Sequence, residues 1–171
     1  MNSTELVLSL ANSEPIGAVA TTPSQQRFLQ FSLQGNDPAL LPVECIAEVL
    51  RLPISEVLPV PHMPSFVLGI YNWRGEIIWL VDFDRLVGHP IGFGSTTQAI
   101  KGMIIVLEVE GFFGLVVSQI DDIEWHNPAQ LCPPSKQLFS PELLPFVQGY
   151  FSSGITVLDP VAIAKSFSVL A

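Results

Sequence analysis

The sequence predicts a mainly β protein, a barrel or a sandwich, on three observations. Short runs rich in Val, Ile, Leu and Phe recur at intervals of about 8 to 12 residues, which is typical of all-β folds. Between them, 12 Gly and 15 Pro residues among 171 favour turns over long helices. Finally, 49% of the residues are apolar and 13% are charged, a composition that indicates a packed core and not a disordered chain.

The first half of the chain is predicted to hold a tail, four strands and two short helical segments. Residues 1–25 are predicted to form a flexible N-terminal tail, because they are polar and lack sustained periodicity. Alternating apolar residues predict strands at residues 27–33, 39–41, 67–73 and 76–83. A helix of about two turns is predicted over residues 43–50, because the apolar residues there follow the i, i+3, i+4, i+7 spacing: Val43, Ile46, Ala47 and Leu50. One helical turn is predicted at residues 84–88, with Asp82 or Asp84 as its N-cap.

The second half repeats this pattern after a Gly/Ser/Thr-rich loop at residues 88–97. Predicted strands lie at residues 103–108, 112–117, 120–125, 147–151 and 154–158. Proline-rich residues 127–145 are predicted to be loop, and Asp159 is predicted to cap a helix that starts at Pro160 and runs to about Ser168. Because each half supplies about five extended segments, the sequence allows two small barrels, one before Gly88 and one after Lys101.

Charge and composition exclude several function classes. Seven Lys and Arg residues against 16 Asp and Glu give a net charge of −9, and the cations are scattered, which argues against binding to nucleic acid or to an anionic membrane. The apolar runs are shorter than the roughly 18 to 20 residues of a spanning helix, and no basic leader precedes them. We therefore predict a cytoplasmic protein with two reduced thiols, Cys45 and Cys132. Few charges on an apolar chain also predict an exposed apolar surface, which usually marks a protein interface.

The search for catalytic chemistry leaves one candidate cluster. The chain contains no phosphate-binding loop, dinucleotide fingerprint, nucleophile elbow or Cys-x-x-Cys pair, so no cofactor is predicted. On a strand, Asp122, Glu124 and His126 would share one face and could hold a divalent metal ion. The alternative is a solvated face on an acidic protein. His62 and His89 are predicted to be surface histidines without a catalytic partner.

The most informative segment is residues 60–83, where Asn72-Trp73-Arg74-Gly75 lies between two predicted strands. Gly69 and Gly75 suit positions that need a positive φ or a close backbone approach. Arg74, in a turn flanked by apolar sequence, is either a solubilising turn residue or an interface anchor whose planar guanidinium binds carboxylates or carbonyls.

This segment resembles the CheW-like domain of bacterial chemotaxis and pilus-motility systems. The resemblance rests on Val60-Pro61, Pro64, Phe66-Val67, Gly69, the Asn72-x-Arg74-Gly75 block and the closing Val81-Asp82. Weaker likenesses at residues 28–31, 46–49, 104–107, 114–117 and 155–163 extend it to about residues 26–168. The sequence departs from the family pattern at Trp73, where Leu is usual, at Trp79, where Pro is usual, and at Ser118, where Asp is usual.

The resemblance implies a domain over residues 26–171, made of two intertwined SH3-like five-stranded β-barrels that share a core and have a hydrophobic groove between them. It implies a non-catalytic adaptor that couples a CheA-type histidine kinase to the cytoplasmic tip of a methyl-accepting chemoreceptor. In such an adaptor, Asn72, Arg74 and Gly75 would order the receptor-facing corner. Glu48 would be a second contact, with apolar area from Ile46 and Val49.

Three other functions stay open from the sequence. An adaptor for a type IV pilus system, in twitching or phototaxis, would use the same fold with different partners. A small β-barrel hydrolase would use a metal ion held by Asp122, Glu124 and His126. A ligand-sensing barrel would need a deep closed pocket.

Overall fold

The computed structural model describes residues 24–89 and 101–168, so nearly all of the predicted tail and most of the predicted loop at 88–97 lie outside the described residues. Ten strands are present in the described ranges: β1 (Gln26–Ser32), β2 (Pro38–Pro42), β3 (Ile46–Pro53), β4 (Val67–Trp73), β5 (Glu76–Asp82), β6 (Lys101–Glu108), β7 (Phe112–Val117), β8 (Gln119–His126), β9 (Val147–Tyr150) and β10 (Thr156–Leu158). Two α-helices, α1 (Phe83–Leu86) and α2 (Pro160–Ser168), accompany 3₁₀ turns at Val43–Cys45, Ile54–Glu56, Pro128–Gln130 and Leu144–Phe146.

The strands form two five-stranded sheets, and each sheet takes strands from both halves of the chain. Sheet A has the order β8-β1-β2-β10-β9, and sheet B has the order β3-β6-β7-β5-β4. The expectation of one sheet per half is therefore wrong. The physical reason is that strands far apart in the sequence pair with each other, in the antiparallel pairs β1–β8 and β3–β6 and in the parallel pairs β2–β10 and β5–β7, which hairpins between neighbouring strands would not do. The mainly β, SH3-like architecture with intertwined halves is confirmed.

Neither ladder closes into a barrel, which corrects the predicted closed form. In sheet B, the edges are β3 and β4, and the segment after β3 reaches β4 only at Leu58, through two backbone hydrogen bonds of 2.9 Å to Ile70. In sheet A, the segment after β8 reaches β9 in the same way, through Cys132 and Tyr150, with bonds of 2.8 and 3.0 Å. In each sheet, one bridged residue pair thus joins the segment after one edge strand to the other edge strand, and the sheet stays open.

A glycine lies beside each of these two bridges. Gly69 has a φ of +144°, and a Cβ there would overlap the carbonyl oxygen of Leu58. A Cβ at Gly149 would come within 2.5 Å of the Cys132 carbonyl oxygen. The close backbone approach and positive φ predicted for Gly69 are confirmed, and Gly75 likewise has a φ of +86°.

The main core lies between the sheets and contains residues of both. It includes the fully buried side chains Phe31, Leu41, Phe83, Ile105, Leu107, Leu115, Leu158 and Ile163. Smaller clusters cover the other face of each sheet, with Trp73, Ile78 and Leu80 among the members in sheet B and Phe28, Leu40, Phe151 and Val157 in sheet A. Both sheets therefore bury both faces over part of their area.

Most predicted elements are found within one or two residues, and one is wrong. The predicted helix over residues 43–50 is a 3₁₀ turn at Val43–Cys45 followed by strand β3. Burial alternates along these residues, and pairing of β3 along the length of β6 overrides the helical spacing, as tertiary contacts often do. The predicted caps are confirmed: the Asp82 side chain accepts a bond from the Arg85 N–H at 3.2 Å, and Asp159 from the Val161 N–H at 2.9 Å.

No helix in the described ranges is long and apolar enough to cross a lipid bilayer.

Candidate functional site

The β4–β5 turn presents Arg74 in a conformation that side chains rarely adopt. Arg74 has a φ of +52° and Gly75 a φ of +86°, between the paired residues Trp73 and Glu76. Two consecutive positive φ values are the signature of a type I′ hairpin turn, which favours Asn-Gly. The Asn72 side-chain oxygen accepts a hydrogen bond from the Gly75 N–H at 2.9 Å and so fixes the turn. An arginine at a left-handed position costs roughly 1 to 2 kcal/mol, and such strain tends to occur at functional positions.

Glu48, on β3, meets this turn from the opposite edge of sheet B. The Trp73 indole N–H donates to Glu48 Oε2 at 2.7 Å, and the Arg74 guanidinium approaches the same oxygen at 3.2 Å. The indole hydrogen bond is the main cause that lowers the pKa of Glu48 below 4.5. Partial desolvation opposes it, and both the hydrogen bond from Arg74 and its positive charge lower the pKa further. Glu48 is therefore a carboxylate at neutral pH and holds both neighbours.

The site is an exposed ion pair on a buried aromatic support. The Arg74 side chain is 69% exposed and that of Glu48 is 32% exposed, whereas Trp73 is only 8% exposed. The indole packs against Phe112 with ring centroids 4.9 Å apart, and the Arg74 guanidinium lies 5.3 Å from the indole centroid. The core therefore fixes Trp73, and Trp73 fixes the charged groups above it.

The structure brings together four of the six predicted site residues: Glu48, Asn72, Arg74 and Gly75. Ile46 is half-buried and packs against the core between the sheets. Val49 is 38% exposed and, as the neighbour of Glu48 on a strand, points to the opposite face of β3.

An exposed apolar strip on sheet B adjoins the turn. Strand register places Asn72 opposite Ile77, Ile70 opposite Trp79 and Leu58 opposite Ile70, and directly opposed residues share one face. We call Leu58, Ile70, Ile77 and Trp79 the apolar strip. Its outer members, Leu58 and Ile77, are each 61% exposed. The strip was not predicted from the sequence, although Ile77 and Trp79 alternate with the buried residues Ile78 and Leu80.

The predicted metal-site residues are only partly brought together. Glu124 Oε2 lies 2.7 Å from His126 Nε2, and the His126 ring stacks on Phe151 with centroids 4.6 Å apart. The β1–β8 register shifts between Leu29 and Phe31, where Ile123 and Ile120 are the partners, so the regular alternation that would align Asp122 with the other two is broken. Within the described part of the chain, no group of three or more His, Cys, Asp or Glu residues could hold a metal ion.

A second exposed apolar pair on β8 was also missed. Trp125 is 62% exposed and Ile123 is 52% exposed. The Arg27 guanidinium lies 5.8 Å from the Trp125 ring centroid. Residues two apart on a strand share a face, so a period of two would have placed this pair on one side of β8.

Comparison with known proteins assigns the chain to a family. The model of the CheW-like domain matches residues 27–168. The chain belongs to the CheW-like domain family. In the crystal structure of the scaffolding protein TtCheW from Thermoanaerobacter tengcongensis, the same fold covers 82% of this chain and 88% of that one, with a TM-score of 0.66 and 22% identity.

Curated relatives are similar over a shorter stretch. A chemotaxis protein CheW of Rhizobium meliloti is 26% identical over 102 residues, which is 59% of this chain and 59% of that protein. A probable chemotaxis protein CheW of Rhizobium etli is 26% identical over 100 residues, or 58% of each chain. The match thus spans less than two thirds of the length of these CheW-like relatives.

Proposed function

We propose that this protein is a non-catalytic adaptor of a chemotaxis-type signalling system in the cytoplasm. It would couple a CheA-type histidine kinase to the cytoplasmic tip of a methyl-accepting chemoreceptor. The observation that carries the proposal is the match of the CheW-like domain model over residues 27–168. The relatives named as chemotaxis proteins support the same signalling process.

The site geometry fits adhesion to a helical partner. The apolar strip offers area of the kind that takes the apolar face of a helix, and its outer members Leu58 and Ile77 are well exposed. Arg74 lies in the turn that adjoins the strip, with its guanidinium held against Glu48 and over the Trp73 ring, and arginine is enriched among the hot spots of interfaces. We therefore propose that Asn72, Arg74 and Gly75 order the receptor-facing corner, with Glu48 as its charged partner.

The two proposed apolar contacts beside Glu48 differ in their contribution. Val49 is exposed and would add direct contact area on the outer face of β3. Ile46 packs against the core between the sheets, and in this proposal it supports β3 from beneath. Substituting Val49 should therefore affect binding more than stability, and substituting Ile46 should affect both.

The test is recovery of the receptor and the kinase by the tagged full chain in the presence of receptor-containing membranes. Arg74→Glu is expected to reduce receptor recovery to background. Because an exposed ion pair contributes only about 0 to 1 kcal/mol, the thermal unfolding temperature should change little. Loss of kinase activation in the same reconstituted mixture would be the functional readout.

Arg51→Glu is the matched control. It makes the same change in net charge on the same strand as Glu48. Arg51 is exposed and forms no ion pair with any described residue. Unchanged recovery of both partners with Arg74→Glu would refute the site assignment. Identification of the kinase that co-purifies from cells would distinguish a flagellar system from a type IV pilus system.

A further inference from the structure

We propose that Trp73 is the positioning residue of the receptor-facing surface: its indole N–H holds Glu48, Glu48 holds Arg74, and Arg74 is thereby fixed before the partner arrives. This inference rests on the proposed function and names the part of the site that sets its affinity. The role belongs to the indole N–H and not to the bulk of the ring.

Trp73 is itself immobile. Trp73 is 8% exposed, and its side chain packs with Ile78, Leu80 and Val106 in the smaller cluster of sheet B. The tilted contact with Phe112 adds an aromatic wall. A donor on a buried ring of this kind has a fixed position, because close packing leaves the ring little rotational freedom.

The Glu48 carboxylate depends on this donor for its position. Glu48 Oε2 receives both the indole N–H at 2.7 Å and the Arg74 guanidinium at 3.2 Å. The shorter contact comes from the rigid partner and the longer one from a flexible side chain that is mostly solvent-exposed. The indole hydrogen bond is also the largest single cause that lowers the pKa of Glu48.

Fixing Arg74 in advance lowers the entropy cost of binding the partner. A free arginine side chain loses rotamer freedom when a partner immobilises it, at about 0.5 to 1.5 kcal/mol, and fixing it beforehand removes that cost. Glu48 from one side and the indole face from the other hold the Arg74 guanidinium in the unbound protein. A phenylalanine at position 73 would keep an aromatic ring beside Phe112 and Arg74 but lose the N–H, together with part of the buried volume of the indole.

The experiment measures the affinity of the full-length protein for receptor-containing membranes and the pKa of Glu48 by NMR titration. Trp73→Phe is expected to weaken binding about two- to tenfold, the factor that corresponds to ordering one flexible side chain. The pKa of Glu48 should rise towards 4.5 in this variant. Glu48→Gln, which keeps the shape and removes the carboxylate, should weaken binding to a similar extent, and the double variant should lose no more than Glu48→Gln alone.

Trp125→Phe is the matched control, because it makes the same chemical change in sheet A. The Trp125 ring is exposed and its N–H forms no hydrogen bond with any described residue. This variant should leave the pKa of Glu48 unchanged. If Trp73→Phe raises that pKa but leaves affinity unchanged while Arg74→Glu still abolishes binding, the positioning role is refuted and the proposed function stands. If Arg74→Glu also binds normally, the receptor-facing site itself is refuted. Should Trp73→Phe unfold, full affinity in Glu48→Gln would overturn the inference.

Discussion

Replacement of Gly69 by alanine should destabilise the protein far more than other glycine substitutions of similar backbone conformation. The φ of +144° is a region that side chains rarely adopt, and the added Cβ would overlap the Leu58 carbonyl oxygen and lie 2.8 Å from its carbonyl carbon. Both obstacles belong to the backbone, so no side chain can rotate away. The backbone must shift, and the shift would break the bridge between Leu58 and Ile70.

The magnitude follows from two contributions. Strain at a disfavoured backbone conformation costs about 1 to 3 kcal/mol. Loss of the two bridging hydrogen bonds adds roughly 0.5 to 1.5 kcal/mol each. The free energy of unfolding should therefore fall by about 2 to 6 kcal/mol, which is a large part of the roughly 5 to 15 kcal/mol that stabilises a typical domain.

Gly75→Ala separates the two contributions, because its φ is also positive but a Cβ there meets nothing within 4 Å. Only strain remains, at about 1 to 2 kcal/mol. Urea denaturation of both variants, with comparable slopes, gives the difference from the two midpoints. If Gly69→Ala unfolds at the same urea concentration as Gly75→Ala, the bridge contributes nothing and the reasoning is wrong.

Two further predictions concern the titratable groups Asp82 and Cys45. Asp82→Ala should lower the free energy of unfolding by about 1 kcal/mol through loss of the helix cap, while Asp82→Asn should keep the cap; equal losses would contradict this. Burial raises the pKa of Asp82 above 3.8, so its contribution stabilises the fold at low pH and is lost as the pH rises through the folded pKa. When the free energy of unfolding is measured from pH 3 to 7, the part of its pH dependence that comes from Asp82 should be absent in Asp82→Asn. Burial raises the pKa of Cys45 to about 11, so the thiol should react slowly in the folded protein. In a Cys132→Ser variant, iodoacetamide at pH 8 should therefore modify Cys45 more slowly in the folded protein than in the unfolded chain. Equal rates in the two states would contradict this prediction.

Local patterns were sufficient for most strands and for both helix caps. The β4–β5 hairpin follows from apolar alternation on either side of Arg74-Gly75, and Asp159-Pro160 marks the start of α2 by cap chemistry alone. These signals lie within a few residues of one another, so no tertiary contact is needed to interpret them.

The errors arose where distant segments decide the structure. The residues of β3 fit both a helical and an alternating pattern, and only pairing with β6 selects the strand. The assignment of strands to sheets likewise depends on pairs such as β2–β10, which no local signal indicates. The sheets also stay open, because in each of them a single bridged residue pair joins the segment after one edge strand to the other edge strand.

The candidate site was predictable in part. The turn formed by Asn72 and Gly75 follows from local chemistry. The meeting of Glu48 with Arg74 needs the two edges of sheet B to approach each other; the family resemblance named both residues as contacts but did not pair them. The indole bond of Trp73 escaped notice because a tryptophan between Asn72 and Arg74 gives no local sign of where its N–H points.

The exchange of strands between the sheets has a practical consequence. If the polypeptide were severed between α1 and β6, the upstream piece would hold the incomplete arrangements β1–β2 and β4–β5 and an unpaired β3, and the downstream piece would hold β6–β7, β9–β10 and an unpaired β8. Neither piece could assemble a whole sheet by itself, yet each carries the missing neighbours of the other. Two such fragments would regain the architecture only on meeting, so the scaffold lends itself to a split sensor that reports the encounter of whatever is fused to its two parts.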